Sequence, residues 1–259
     1  MSMRRPSIAV VLLGVVVAAG PGPSRAEPAR PSATRVAARE APAPVDRLIE
    51  SRQHRLSPVH QGDQRTFTIE GREGARATAA TLVERVTRLS VAGDLLRAEI
   101  SATWIATGGR HVGMTGYQAR RVEEVDRDGV LRATNRLDRA PIPGSAIEGV
   151  ALPRNLEVGR RWTVQLSYTD GGRAVTSRIK RRVERTVVRR GPDGRLRPGV
   201  LIKWSEVRSR VGARRTAVER WTGTSVFLEG VGEVETRMKR RGGGAWFARR
   251  LAECQCGPR

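Results

Sequence analysis

Cysteine, lysine, aromatic residues and long apolar runs are all scarce in this chain of 259 residues. The two cysteines, Cys254 and Cys256, lie beside the C-terminus, which excludes a disulfide framework that joins distant segments. In an oxidising compartment the pair can close on itself, bridge to another chain or stay free. The fold must therefore be held together without such cross-links, chiefly by burial of apolar side chains.

The one long apolar run, from Ile8 to Ala19, spans 12 residues. A membrane-crossing helix needs about 20, so this run is too short to serve as one. Two arginines precede it, and Ser24-Arg25-Ala26 offers the small residues that signal peptidase reads. We predict a signal peptide over residues 1–26 that is cleaved after about Ala26, a periplasmic or secreted location, and no transmembrane segment in the mature chain.

Basic residues are abundant, and almost all of them are arginine. The formal net charge is +22, and only three of the 48 basic residues are lysine. Cleavage after Ala26 removes three arginines and no acid, which leaves 45 basic and 26 acidic residues and a net charge of +19. Such a charge favours anionic partners. Codon composition explains the arginine bias slightly better than a dedicated polyanion-binding role does, and it carries no functional meaning.

The composition changes twice along the chain. Residues 27–44 are rich in Pro, Ala and Arg with few large apolar side chains, which predicts a disordered linker. Val45, Leu48 and Ile49 then have the spacing of one helical turn. We predict a single β-rich domain over residues 45–253 and a short tail over residues 254–259.

Apolar and polar residues alternate with period two through most of this domain. The clearest alternating runs are Leu96–Ala106, with Trp104 on the apolar face, and Arg161–Thr169, with Trp162 and Tyr168 on the apolar face. Asp-Gly and Gly-Gly turns punctuate these runs, as in hairpins that join antiparallel strands. The fold class is therefore mainly β: a single antiparallel curved sheet, a half-barrel or barrel of roughly nine to twelve strands, with at most one or two short helices.

One weak internal similarity is present. The segments Gly62–Phe67 and Gly159–Val164 both launch an alternating strand from a glycine turn. Only Gly and Thr coincide in the two segments. Two similar solutions to starting a strand explain the likeness better than an old duplication does.

Familiar catalytic and metal-binding motifs are absent from the sequence. His54, His60 and His111 have no carboxylate at a metal-ligand spacing and are expected to be plain surface histidines. We assign no catalytic residue, metal or cofactor and expect the protein not to be an enzyme. A hydrolase built from dispersed residues stays open, with His111 beside Glu123 or Asp126 as the arrangement that would support it.

Two basic clusters are the most tangible candidate site, although a solvated face that discourages edge-to-edge aggregation is the favoured interpretation. Each places four positive charges in five residues, and in a strand such charges point to both faces, so we expect both sides of these segments to be wet. The aromatic residues Trp104, Trp162 and Tyr168 fall on apolar faces, which fits a core better than base-stacking platforms. The candidate polyanion-binding residues are Arg178, Lys180, Arg181, Arg182, Arg237, Lys239, Arg240 and Arg241.

Two segments resemble uncharacterised bacterial envelope families. Leu152–Thr163 is similar to a strand start of the pattern Pro…Val-Gly-x-x-Trp in those families, and Phe227–Val234 is similar to their late Gly-x-Gly-x-Val tract. The resemblance implies a secreted or lipid-anchored β domain akin to the half-barrel of lipoprotein carriers, with no established activity. The chain departs from those families in lacking a lipid-attachment cysteine after the apolar run.

Three functions follow from these features. The first is a non-enzymatic envelope protein whose curved sheet offers an apolar concavity to a lipid, lipoprotein or other envelope partner. The second is a polyanion-binding surface protein that uses the arginine-rich strands, with no sequence-specific recognition of nucleic acid. The third is the dispersed hydrolase.

Overall fold

The computed structural model describes residues 44–108, 117–126, 129, 131–134, 136–137, 140–141, 146–148, 150–170, 173–211 and 216–257. One short helix precedes a long series of strands. The elements are α1 (Pro44–Arg52), β1 (Gln64–Glu73), β2 (Arg76–Ala92), β3 (Leu95–Gly108), β4 (Tyr117–Val125), β5 (Leu131–Thr134), β6 (Arg136–Leu137), β7 (Ala140–Pro141), β8 (Ala146–Glu148), β9 (Arg161–Asp170), β10 (Arg173–Arg190), β11 (Leu196–Val211), β12 (Thr216–Leu228), β13 (Gly232–Arg240) and β14 (Trp246–Gln255).

Twelve strands form one antiparallel sheet, in the order β5-β4-β3-β2-β1-β14-β13-β12-β11-β10-β9-β8, and β6 pairs with β7 separately. The predicted fold class is confirmed: the molecule is mainly β, with one large, open, curved antiparallel sheet and one short helix among the described residues. Register shifts interrupt β1, β2, β10 and β12. Because bulges bend a strand and increase its twist, they help this sheet to curve. The edge strands β5 and β8 approach each other without pairing.

The alternation seen in the sequence sets the two faces of the sheet. In β3, Leu96, Ala98, Ile100 and Trp104 are buried on the inner face, as predicted. In β9, Val164 is buried and Trp162 packs against the same core. Burial of these alternating side chains inside the curve is the main source of stability, because transfer of apolar surface out of water is favourable.

Two glycine turns form the same pair of backbone hydrogen bonds with a long strand of the sheet. Gly62 and Asp63 exchange two backbone hydrogen bonds with Val86, and Gly159 and Arg160 exchange two with Val183. The two glycines are 97 positions apart in the sequence, and so are the two valines. Each contacted valine sits at a register shift of its long strand, β2 or β10. The likeness found in the sequence thus extends beyond the turn to a second strand in each half.

Several boundaries from the sequence can be compared with these elements. The helix expected near Val45 is α1, while β14 continues through Cys254, past the expected end of the domain at residue 253. Cys254 and Cys256 form a disulfide, the first of the three alternatives. The predicted signal peptide and nearly all of the predicted linker lie outside the described residues. Within the described ranges, no helix has the length and hydropathy to cross a bilayer.

Candidate functional site

The outer face of β9–β13 carries ordered rows of basic side chains, which we call the basic outer face. One row runs across five strands through Arg161, Arg182, Lys203, Thr224 and Arg237. Neighbouring strands are about 4.8 Å apart, so the β10 and β13 members of this row are separated by roughly 14 Å. Cluster residues that are distant in sequence are therefore brought onto one surface.

A second row lies beside the first and has hydroxyl groups at its centre. It runs through Thr163, Lys180, Ser205, Thr222 and Lys239. In this row, the short side chains on β11 and β12 leave a trough between the basic residues of β10 and those of β13, beside Lys203 of the first row. Hollows of about 640 Å³ and 530 Å³ occupy this region, and Lys203 lines both of them.

Most of the charge on this face is not neutralised by neighbours. Lys203 pairs with Glu184 at 2.8 Å, and Arg237 pairs with Glu235. The hydrogen bonds from Arg237 and Arg189 hold the pKa of Glu235 below its usual range, against the raising effect of burial. Among the described residues, no carboxylate lies within 4 Å of five other cations of the two clusters. These cations are Arg178, Lys180, Arg182, Lys239 and Arg241.

The expectation that both sides of the basic segments are wet is wrong. Arg181 and Arg240 point to the inner face, with only part of each side chain accessible, while the other six candidates are exposed on the outer face. Arg240 pairs with Glu73 at 3.1 Å. The inward position of Arg181 was predictable from the sequence, because residues two positions apart on a strand point to the same face. Ile179 and Val183, the neighbours of Arg181 on that face, both point inward.

The inner face holds a network of buried charges that the sequence did not reveal. Glu84 accepts hydrogen bonds from Arg121 at 2.5 and 3.0 Å, and Arg121 also donates to Glu123 at 3.0 Å. Burial raises the pKa of Glu84, but the charge and hydrogen bonds of Arg121 outweigh it and lower that pKa to about 2. Arg249 extends the network with a bond of 2.5 Å to Glu233.

A second buried ion pair lies on β11. Arg208, 2% exposed, donates to Glu206 at 3.0 and 3.2 Å, and Ser177 donates to the same carboxylate at 2.5 Å. The guanidinium of Arg208 also lies over the ring of Trp221, 5.6 Å from its centroid. The concave side is therefore not the purely apolar surface expected from the alternating pattern. Its charges are nevertheless largely paired, as burial requires.

A partly open cavity of about 200 Å³ lies between the ion pair of Arg249 with Glu233 and the ion pair of Arg208 with Glu206. We call it the inner cavity. Its apolar wall includes Trp104, Ile69 and Leu82, and its polar wall includes Arg181 and Glu233. The indole of Trp204 lies across Gly223, where any side chain would meet the ring at 2.4 Å. The concave side thus combines a filled apolar core, with residues from both β2–β4 and β10–β12, and a small mixed cavity lined by residues from β1–β3 and β10–β14.

The described histidines form no metal site. His54 is buried, contrary to the expectation of a surface residue: its Nε2 lies 3.1 Å from the carbonyl oxygen of Pro153, and the backbone N–H of Leu56 donates to its Nδ1. Burial lowers the pKa of His54 and favours the neutral ring. Nowhere in the described ranges do three potential metal ligands cluster. His111, on which the hydrolase alternative depended, lies outside those ranges.

Comparisons with known proteins bear on the fold. No protein-family model matches the chain, and no curated protein does. A predicted exported protein with a YmcC-like fold from Bacteroides fragilis is 14% identical with a TM-score of 0.52, over 76% of this chain and 97% of that one. A predicted lipoprotein from Parabacteroides distasonis is 12% identical with a TM-score of 0.53, over 78% of this chain and 99% of that one.

At such low identity the likeness is one of fold alone. It agrees with the resemblance to uncharacterised envelope β domains, although the two short motifs that suggested that resemblance stay predictions. The chain therefore shares its curved antiparallel sheet with proteins described as exported or as lipoproteins.

Proposed function

We propose that the protein is an exported envelope protein that binds an acidic polymer on its basic outer face. The observation that carries the proposal is the register of β10–β13, which aligns the two arginine-rich clusters on one face. The trough has cations on both sides and Lys203 beside the hydroxyl groups of its floor, which suits a chain of repeated negative charges; Glu70 is the carboxylate among the residues that line its hollows. The export signal predicted in residues 1–26 gives the envelope location.

The physical basis of binding is the release of counterions when basic side chains neutralise the polymer. Five cluster cations have no described carboxylate within 4 Å, which makes binding favourable because no such ion pair has to break first. Among the described large apolar side chains, Trp246 is the one aromatic residue exposed to a large extent, at 42%. With so little stacking surface, recognition depends on charge rather than on bases.

The inner face gives less support to carriage of a lipid. Ligand pockets for drug-sized molecules usually measure about 300–1,000 Å³, whereas the inner cavity is about 200 Å³ and is bordered by charged residues. For this reason we place the principal binding activity on the outer face.

The experiment compares a trough variant with a variant of equal charge. The trough variant combines Lys180→Gln, Arg182→Gln, Arg237→Gln and Lys239→Gln, and the control combines Arg47→Gln, Arg55→Gln, Arg85→Gln and Arg88→Gln, all outside the trough. All eight side chains are exposed, so both variants should fold. Binding to heparin and to duplex DNA is measured by fluorescence anisotropy at several salt concentrations.

We expect wild-type binding to weaken steeply between about 50 and 200 mM salt, and the trough variant to have a salt slope on DNA that is smaller by about 3 to 4. The control should retain most of the wild-type affinity. Equal losses in the two variants would show that only net charge matters. Affinity that is independent of salt would also contradict the proposal.

A further inference from the structure

Arg181 is a partly buried cation, and none of the described carboxylates lies within 4 Å of it. It projects from the inner side of β10 into the inner cavity. Among the described residues, its hydrogen-bond partner is the carbonyl oxygen of Ala151, to which Nη1 donates at 2.8 Å. Its Nε is buried, and no group in the described part of the chain accepts a hydrogen bond from it. Since an arginine side chain stays protonated in proteins, this group holds a full positive charge inside the fold.

The other arginines of the cavity wall are arranged differently. Arg208 contacts Glu206 at 3.0 Å, and Arg249 contacts Glu233 at 2.5 Å. Burial lowers the pKa of Arg181, and the charges of Glu233 and Glu206 oppose this only from a distance. A buried charge without a direct partner is costly, so the position favours an anion placed in the cavity beside Arg181.

The balance of charge around the cavity indicates how much negative charge fits there. Its lining includes three arginines and two glutamates, which leaves one positive charge in excess. A single carboxylate would neutralise that excess. A doubly charged phosphate would exceed it and would meet repulsion from Glu206 and Glu233.

The apolar residues that line the cavity indicate the size and polarity of the part of the ligand that carries the carboxylate. Trp104, Leu82, Ile69 and Phe247 form an apolar wall. An engineered apolar cavity of about 150 Å³ binds benzene, so about 200 Å³ accommodates an aromatic ring together with a carboxylate. A long acyl chain exceeds this volume.

We propose that the inner cavity binds a small monocarboxylate with a compact apolar or aromatic body, and that its carboxylate pairs with Arg181. The ligand lies inside the curve of the sheet, whereas the acidic polymer lies on the outer face. The two sites lie on opposite faces of the sheet and their proposed ligands pair with different cations, so either proposal can fail without the other.

The experiment uses the mature chain and benzoate as the probe, with binding measured by isothermal titration calorimetry and by tryptophan fluorescence. Benzyl alcohol has a similar shape without the charge, and palmitate has the charge with a body that is too long. In the wild-type protein we expect benzoate to bind roughly tenfold or more tightly than benzyl alcohol, because a charged hydrogen bond is lost with the alcohol. Palmitate should not compete with benzoate.

Arg181→Gln and its exposed neighbour Arg178→Gln form the matched pair of variants. We expect Arg181→Gln to weaken benzoate roughly tenfold or more, to leave benzyl alcohol unchanged and to unfold at the same temperature as wild type or higher. Arg178→Gln should bind benzoate as wild type does. Absence of benzoate binding at millimolar concentration, equal binding of acid and alcohol by the wild-type protein, or tight palmitate binding would each overturn the proposal.

Discussion

At the scale of single residues, the inner face depends on how each buried charge is paired. Glu84 lies on β2, and its main partner Arg121 lies on β4, two strands away in the sheet. The pair therefore joins strands that do not hydrogen-bond to each other directly. Breaking such a buried pair leaves a charge without compensation, which costs far more than loss of an exposed pair.

Replacement of Glu84 by Gln should destabilise the protein by about 3 kcal/mol at neutral pH, because Arg121 and Arg249 lose a buried partner. The pKa of Glu84 is lowered from 4.5 to about 2 in the folded state. Its stabilising contribution is therefore complete above pH 4.5 and is lost as the pH falls towards 2. Urea unfolding across this range should show a smaller loss of stability in the variant than in wild type.

Glu184→Gln is the control, because Glu184 pairs with Lys203 at the surface. This variant should leave the free energy of unfolding almost unchanged at neutral pH, since exposed pairs contribute little. Equal effects of the two substitutions would show that the network around Glu84 does not stabilise the fold.

The residue scale also shows where prediction from the sequence stops. The alternation around Trp104 and Trp162 placed both side chains on the correct face, because period two is a local property of a strand. The pairing of Glu84 with Arg121 was not predictable, since it depends on the order of strands in the sheet. For Arg181, the alternation in the sequence indicated that the side chain points to the inner face. Only the structure shows that no described carboxylate lies within 4 Å of it.

At the scale of elements, the pairing of β11 with β12 depends on glycine at a close approach. Gly199 faces Leu228 in the register of the two strands. A Cβ at position 199 would lie 2.0 Å from the backbone oxygen of Phe227. Since the contacted atom belongs to the backbone, no side-chain rotation can relieve the clash.

Replacement of Gly199 by Ala should therefore destabilise the protein by about 2–3 kcal/mol, as other overpacked sites do. Gly244→Ala is the matched control, because a Cβ there meets no atom within 4 Å. The measurement is thermal unfolding followed by circular dichroism. A melting temperature of Gly199→Ala equal to that of Gly244→Ala would contradict the close approach.

The order of the strands in the sheet was harder to predict from the sequence than the presence of the strands. The turn residues Gly194 and Gly242 have positive φ angles of 74° and 76°, as the glycine-rich turns led us to expect. Antiparallel neighbours therefore followed from the sequence. The pairing of β1 with β14 did not, because a contact between the two ends of the domain leaves no local pattern.

At the scale of the whole molecule, the sheet consists of two halves joined at one seam. β1 is the first strand and β14 the last, and they pair near the middle of the twelve-stranded order. β14 also carries Arg249, which links Glu233 on β13 to Glu84 on β2. The seam therefore joins the halves through both backbone hydrogen bonds and buried charge.

Deletion of all residues from Trp246 onward should abolish cooperative folding, because β1 and β13 would be left with unpaired edges and Glu233 without Arg249. Far-UV circular dichroism and thermal unfolding measure the effect. A chain that ends at Gly257 retains the whole of β14 and should unfold as wild type does. A sharp unfolding transition in the longer deletion would show that the halves fold without the seam.

The seam also has a consequence for the time at which the protein matures. The ribosome synthesises β1 early and β14 as the last strand of the sheet. The edge of β1 that pairs with β14 therefore stays unpaired until nearly the whole domain has been synthesised. During that interval the edge is an open template for pairing with other chains. For the export that we propose, delayed folding is an advantage, because the pairing that completes the sheet cannot form until β14 has followed β1.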